Sequence, residues 1–289
     1  DVTRTTKRPT GATTICSGPG IGLQLTRGPH AGRLIFPFNE GPFWKWQNFA
    51  VFSDDRGATW RYGENVPQAL LPDPKLGLRS QINEVQMAEL NDGSVRLNSR
   101  QFARAKVRKT SVSRDGGATW SPVADLADLR DPSCMAGMLR YSFDDGTGLG
   151  KLIHTGPDST KRDHGTVYLS LDDGATWPVK RELWPGGLAY SVPTRLADGT
   201  VGVITISREA YNRDVDAELN RAIDWLVAAK IERVILTGDF HLSTQLVGAD
   251  TSEVRGCDER HGDRLAAPGT DQDVGDHVGG VGKLWHPLR

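Results

Sequence analysis

Cysteine is scarce in this chain and badly spaced for chemistry. Only three occur in 289 residues, Cys16, Cys134 and Cys257. They are odd in number and far apart, so they form neither a disulfide framework nor a zinc-ligand pattern. Cys16 and Cys134 read as buried thiols. Charge of one sign is also missing: 35 basic residues face 36 acidic ones. With Lys and Arg dispersed rather than striped, that balance argues against a general nucleic-acid binder. No apolar run approaches the ~18 residues of a membrane-spanning helix. No signal peptide is visible and the chain starts at Asp1 without Met, so sequence upstream is expected and the compartment is left open. Helical periodicity is almost absent from residues 15 to 204, which leaves all-β arrays as the fold class.

The chain does have 33 Gly and 8 Trp, and they recur in a pattern. Three octapeptides share the frame Ser-x-Asp-x-Gly-x-x-Trp: Ser53 to Trp60, Ser113 to Trp120 and Ser170 to Trp177. Each follows an apolar or alternating run, Asn48–Phe52, Val107–Val112 and Thr166–Leu169, which reads as a strand entering a hairpin. The Asp carboxylate is expected to accept N–H groups one to three residues ahead. The Gly supplies a left-handed backbone, and the Trp packs on the next strand with its N–H near a partner.

A second marker runs in step. Gly32, Gly93, Gly150 and Gly199 each precede a strand-like run, and the first three lie 21, 20 and 20 residues before the serine of the next octapeptide. Each unit therefore reads as strand, Gly turn, strand, connection, strand, box, strand. Such a unit is a propeller blade, slightly longer than the ~40–45 residues of the WD type. About four units are expected over residues 1–204.

The residues between the boxes carry a resemblance. Asn83-Glu84-Val85-Gln86 with Leu90-Asn91-Asp92-Gly93-Ser94, then Asn98-Ser99-Arg100, Asp131-Pro132-Ser133-Cys134, Arg162 and Ala189-Tyr190-Ser191 resemble, in order and spacing, segments of the sialidase (neuraminidase) family. The resemblance implies a β-propeller of the six-bladed sialidase type and an exo-α-sialidase that hydrolyses terminal sialic acids with retention. It implies Tyr190 as nucleophile and Glu84 as its base, a known exception to the two-carboxylate glycosidase scheme. It also implies Arg100 and Arg162 as binders of the substrate carboxylate, sialylated glycans as partners, and neither metal nor cofactor. The chemistry is coherent. A carboxylate nucleophile would be repelled by the substrate's own carboxylate, whereas a neutral phenol is not. Arginine also binds a carboxylate through a planar fork that Lys cannot copy.

Two departures stand against the family pattern. No Arg-Ile-Pro motif occurs, and with it the first arginine and the acid/base Asp are unassigned. The chain therefore looks like the C-terminal two-thirds of a propeller, and a non-catalytic sialoglycan-binding propeller is the alternative reading. After Gly199 the family's Tyr-Glu pair is absent, and Glu209 does not replace it. Residues 205–289 read as a divergent tail, with a helix over about 213–230 and a short strand over 233–237. Gly238-Asp239-Phe240-His241 there is only a weak echo of a metal site, and the remainder, rich in Gly, Asp and Arg, reads as disordered.

Overall fold

A computed structural model describes residues 8, 9, 12, 15–19, 21–146 and 150–206. The expected tail helix, tail strand and His241 lie outside these residues, as does Cys257. Within them the fold is antiparallel β throughout, apart from one 3-10 turn at Gly28–His30.

The first sheet contains β1 (Ile15–Ser17), β2 (Leu23–Gln24), β3 (Leu34–Glu40), β4 (Gln47–Ser53) and β5 (Arg61–Tyr62), with β1 and β2 both pairing with β3. A small hairpin, β6 (Leu71–Asp73) and β7 (Gly77–Arg79), leads to the second sheet. That sheet comprises β8 (Ile82–Glu89), β9 (Val95–Gln101), β10 (Val107–Ser113) and β11 (Ala124–Arg130), paired in sequence order. The third repeats the plan with β12 (Gly137–Ser142), β13 (Lys151–Pro157), β14 (Asp163–Ser170) and β15 (Val179–Gly187). A last hairpin pairs β16 (Tyr190–Arg195) with β17 (Val201–Ile206). The sheets pack in chain order, β3 and β4 on β8, β8 on β12, and β12 on β16, so the described residues form an arc of propeller blades.

Core residues lie between blades. Ile35, Ala50 and Phe52 of the first blade meet Val85, Met87, Val95, Leu97 and Trp120 of the second. Ala88, Leu90 and Leu129 of the second meet Met138, Leu152, Tyr168 and Trp177 of the third. Each fully buried large aliphatic or aromatic side chain contributes about 1.5–3 kcal/mol. β8 is buried along its whole length, as an inner strand covered on both faces must be.

The three boxes close the hairpins between third and fourth strands. In each, the Ser hydroxyl donates to the Asp carboxylate, as in Ser113 to Asp115 at 2.8 Å, and accepts the Gly N–H, as in Gly117 to Ser113 at 2.7 Å. The reach of the Asp corrects the expectation. Its carboxylate accepts the N–H four residues ahead, Thr59 to Asp55 at 2.8 Å and Thr119 to Asp115 at 2.8 Å, because the tight turn folds the Thr back over it. Only Trp60 hydrogen-bonds through its indole N–H, to the Gly57 carbonyl at 3.0 Å. The Trp120 and Trp177 indole nitrogens are buried without a hydrogen bond, so these two rings serve as packing groups. Cys134 is buried as expected, but Cys16 is only half-buried, with its thiol donating to Asn39 Oδ1 at 3.1 Å.

Candidate active site

Four side chains singled out in the sequence, from the second sheet, the third sheet and the last hairpin, gather in one place. Glu84 sits near the start of β8, where the ladder with β9 is irregular between Ile82 and Val85. Such irregularities re-aim a side chain. The Ser99 hydroxyl fills the gap: it accepts the Asn83 N–H at 3.1 Å and lies 3.1 Å from the Glu84 carbonyl oxygen. Arg100 lies next along β9. Tyr190 opens β16, and Arg162 ends the turn from β13 into β14.

The Tyr190 hydroxyl donates to Glu84 Oε1 at 2.5 Å, across 106 residues of chain. Arg100 Nη1 donates to Glu84 Oε2 at 2.8 Å and to the Tyr190 hydroxyl at 3.4 Å. Tyr, Glu and Arg thus form one closed constellation built from two blades. Arg162 flanks it. Its guanidinium carbon is 5.8 Å from the centre of the Tyr190 ring, and its Nη2 donates to the Ser133 carbonyl at 3.0 Å. The structure therefore joins Glu84, Arg100 and Tyr190 directly and holds Arg162 beside them through a backbone contact.

The electrostatics are those of a desolvated cluster. Burial foremost, and then the Glu84 charge, push the Tyr190 phenol well above its ordinary pKa, against the pull of Arg100. Burial, the largest single effect, works against the Arg100 cation, but the Glu84 charge and hydrogen bond together with Tyr190 outweigh it, and the guanidinium is held charged more firmly than usual. Burial pushes the neighbouring Cys134 thiol up to about 12, so it stands as a neutral S–H.

Asp131 and Arg108, which no sequence reading singled out for this site, lie directly behind it. Arg108 Nη1 donates to Asp131 Oδ2 at 3.2 Å and Arg108 Nε to Asn98 Oδ1 at 2.7 Å, all buried. In the sequence Asp131 stands only within the family-like segment Asp131-Pro132-Ser133-Cys134. The position of Arg108 in a strand beside Lys109 makes it read as a surface charge.

Blades stapled by Asp boxes, with a Tyr–Glu–Arg cluster joining two of them, define an Asp-box β-propeller. The chain belongs to the family described as BNR repeat-like domain, whose profile matches residues 3–203. Its relatives include sialidases. The sialidase of Micromonospora viridifaciens is 40% identical over 193 residues, which cover 64% of this chain and 28% of that protein. The sialidase of a Vibrio cholerae serotype O1 strain is 28% identical over 204 residues, covering 63% of this chain and 26% of that protein. Among solved structures, a Hadza microbial sialidase superposes with a TM-score of 0.57 at 29% identity, over 69% of this chain and 37% of the other. The chain thus spans little more than a quarter of the length of the two curated relatives.

Proposed function

We propose that this chain carries the nucleophilic half of an exo-α-sialidase site acting on terminal sialic acids of glycoconjugates. The observation that carries the reading is the 2.5 Å hydrogen bond from Tyr190 to a carboxylate whose other oxygen is held by Arg100. In the first step the Tyr190 oxygen bonds to the anomeric carbon while its proton passes to Glu84 Oε1. The glycosidic bond breaks, and the departing alkoxide takes a proton from an acid not assigned in this sequence. In the second step water attacks the same carbon on the face the leaving group vacated, giving its proton to the conjugate base of that unassigned acid. The tyrosyl–carbon bond breaks and Glu84 returns the proton to the phenolate. Two inversions give retention. On this reading Arg162, beside the Tyr190 ring, and Arg100 bind the substrate carboxylate with charge-assisted hydrogen bonds.

A fluorogenic sialoside tests the reading. The chain is expected to turn it over, and Tyr190→Phe to lose roughly 10³-fold or more of kcat. Equal rates in the two proteins would remove Tyr190 from the chemistry. Calorimetric binding of sialyllactose without turnover would favour a glycan-binding propeller instead.

A further inference from the structure

Tyr190, Arg100 and Arg162 come from three different strands or turns, and one short loop bonds Arg162 and the chain neighbours of the other two. It runs from Asp131 to Cys134, between β11 and β12. The Asp131 side chain is fully buried. Its Oδ1 accepts the Cys134 N–H at 2.9 Å, and its Oδ2 accepts the Gln101 N–H at 2.6 Å, next in sequence to Arg100. Ser133 adopts a left-handed backbone at φ 62°, a conformation rare for a residue with a Cβ. Its carbonyl receives Arg162, and its hydroxyl accepts the Gln101 side-chain amide. The Cys134 thiol donates to the carbonyl of Ala189, the residue before Tyr190. Behind the loop, the buried Arg108 donates to Asp131 and, at 2.5 Å, to the Cys134 carbonyl.

A buried ion pair is a poor source of stability, since apolar residues of the same volume do as well or better. What this pair does provide is geometry, because its hydrogen bonds fix the Gln101 N–H beside Arg100 and both backbone groups of Cys134, and with them the loop whose Ser133 carbonyl and Cys134 thiol reach Arg162 and Ala189. The geometry points to the Asp131–Cys134 loop, clamped by Arg108, as the positioning device of the site, with Cys134 as the positioning residue for Tyr190 through Ala189. This rests on the sialidase reading for its catalytic consequence, though not for its structural one. Cys134, a neutral donor, transfers nothing to substrate and acts only on where the phenol stands.

The test uses the full chain with Cys134→Val, which removes the donor while adding one carbon, and Cys134→Ser, which keeps a donor. Should the valine variant fail to fold, Cys134→Ala replaces it. The first readout is the ¹³C-tyrosine NMR signal of Tyr190, assigned by its loss in Tyr190→Phe. Cys134→Val should shift or split that signal, and Cys134→Ser should restore it. The second is turnover of the fluorogenic sialoside. Cys134→Val should lose roughly tenfold in kcat with KM within about twofold, a signature of misplaced rather than unbound reactants, and Cys134→Ser should recover most of it. A wild-type Tyr190 signal in Cys134→Val overturns the proposal, as does an unchanged kcat in an active protein. If the wild-type chain turns over nothing, the sialidase reading fails, while the NMR arm still decides whether Cys134 positions Tyr190.

Discussion

A phenol attacks well only when something removes its proton, and at Tyr190 the environment forbids doing that in advance. Burial and the adjacent Glu84 charge both favour the neutral form, so no free phenolate stands ready at neutral pH. On the proposed mechanism the proton must leave as the new bond forms, along the hydrogen bond already made to Glu84 Oε1. Tyr190 and Glu84 then act as one unit. Glu84→Gln, which keeps the shape but cannot take the proton, should lose about 10²–10⁴-fold in kcat. The double variant Glu84→Gln/Tyr190→Phe should be little worse than Tyr190→Phe alone, because removing one member of a coupled pair already disables the other. Rate losses in the double variant equal to the product of the single losses would mean that the two residues work independently, and would break the assignment of Glu84 as the base. Glu84→Gln should also lower stability, because it leaves the Arg100 cation, only 19% exposed in its side chain, without its carboxylate.

At the scale of the element, the Asp box does more than close a hairpin. Its fourth and fifth residues are both left-handed: Arg56 and Gly57, Gly116 and Gly117, Asp173 and Gly174, with φ from 58° to 93°. That double turn directs the fourth residue's carbonyl outward. In the second box it accepts Arg33 Nη1 at 2.9 Å, and in the third it accepts Arg96 Nε at 2.7 Å. Each arginine belongs to the preceding blade, so the box is also a latch between neighbours. The fifth position shows how closely it is packed. A Cβ on Gly117 would stand 2.9 Å from Ala50 Cβ of the first blade, whereas one on Gly32, with nearly the same φ, would meet nothing within 4 Å. Alanine at either position costs about 1–2 kcal/mol of backbone strain, and at Gly117 overpacking adds about 1–3 kcal/mol. Urea unfolding should therefore show Gly117→Ala clearly less stable than Gly32→Ala. Equal losses would mean that the contact with Ala50 relaxes freely and that the box does not press on its neighbour.

For the molecule as a whole, blade order was legible because boxes and glycine turns are local chemistry repeated at a period. Tyr190, Glu84, Arg100 and Arg162 were legible because their order and spacing match a family pattern. The Arg108–Asp131 pair was not, since its members lie 23 residues apart and strand alternation does not tell a solvated arginine from one facing a buried carboxylate. His154 was equally silent, sitting in a strand run that any blade would carry. The structure buries it among the second and third blades, with its ring 5.6 Å from both Tyr168 and Trp177. Burial first, and the Arg108 charge second, hold its pKa well below 6.5. The unfolded chain takes up a proton on this group near pH 6.5, while the folded chain stays neutral until much lower pH. Below about pH 6.5 the unfolded state thus binds more protons, and folding stability falls as pH drops, by up to about 1.4 kcal/mol per pH unit from this one group. The box carboxylates do not confuse the window. Their pKa values are lowered, Asp55 to about 2 by its hydrogen bonds from Thr59, so their contribution persists until the solution is far more acid. Unfolding free energies measured by tryptophan fluorescence at pH 7.5, 6.5, 5.5 and 5.0 should fall steadily below pH 6.5 in the wild type. In His154→Gln, neutral at every pH, that fall should largely disappear even though the variant is less stable at pH 7.5. A slope unchanged by the substitution would place the acid sensitivity elsewhere and show that the inter-blade core admits a charged imidazole.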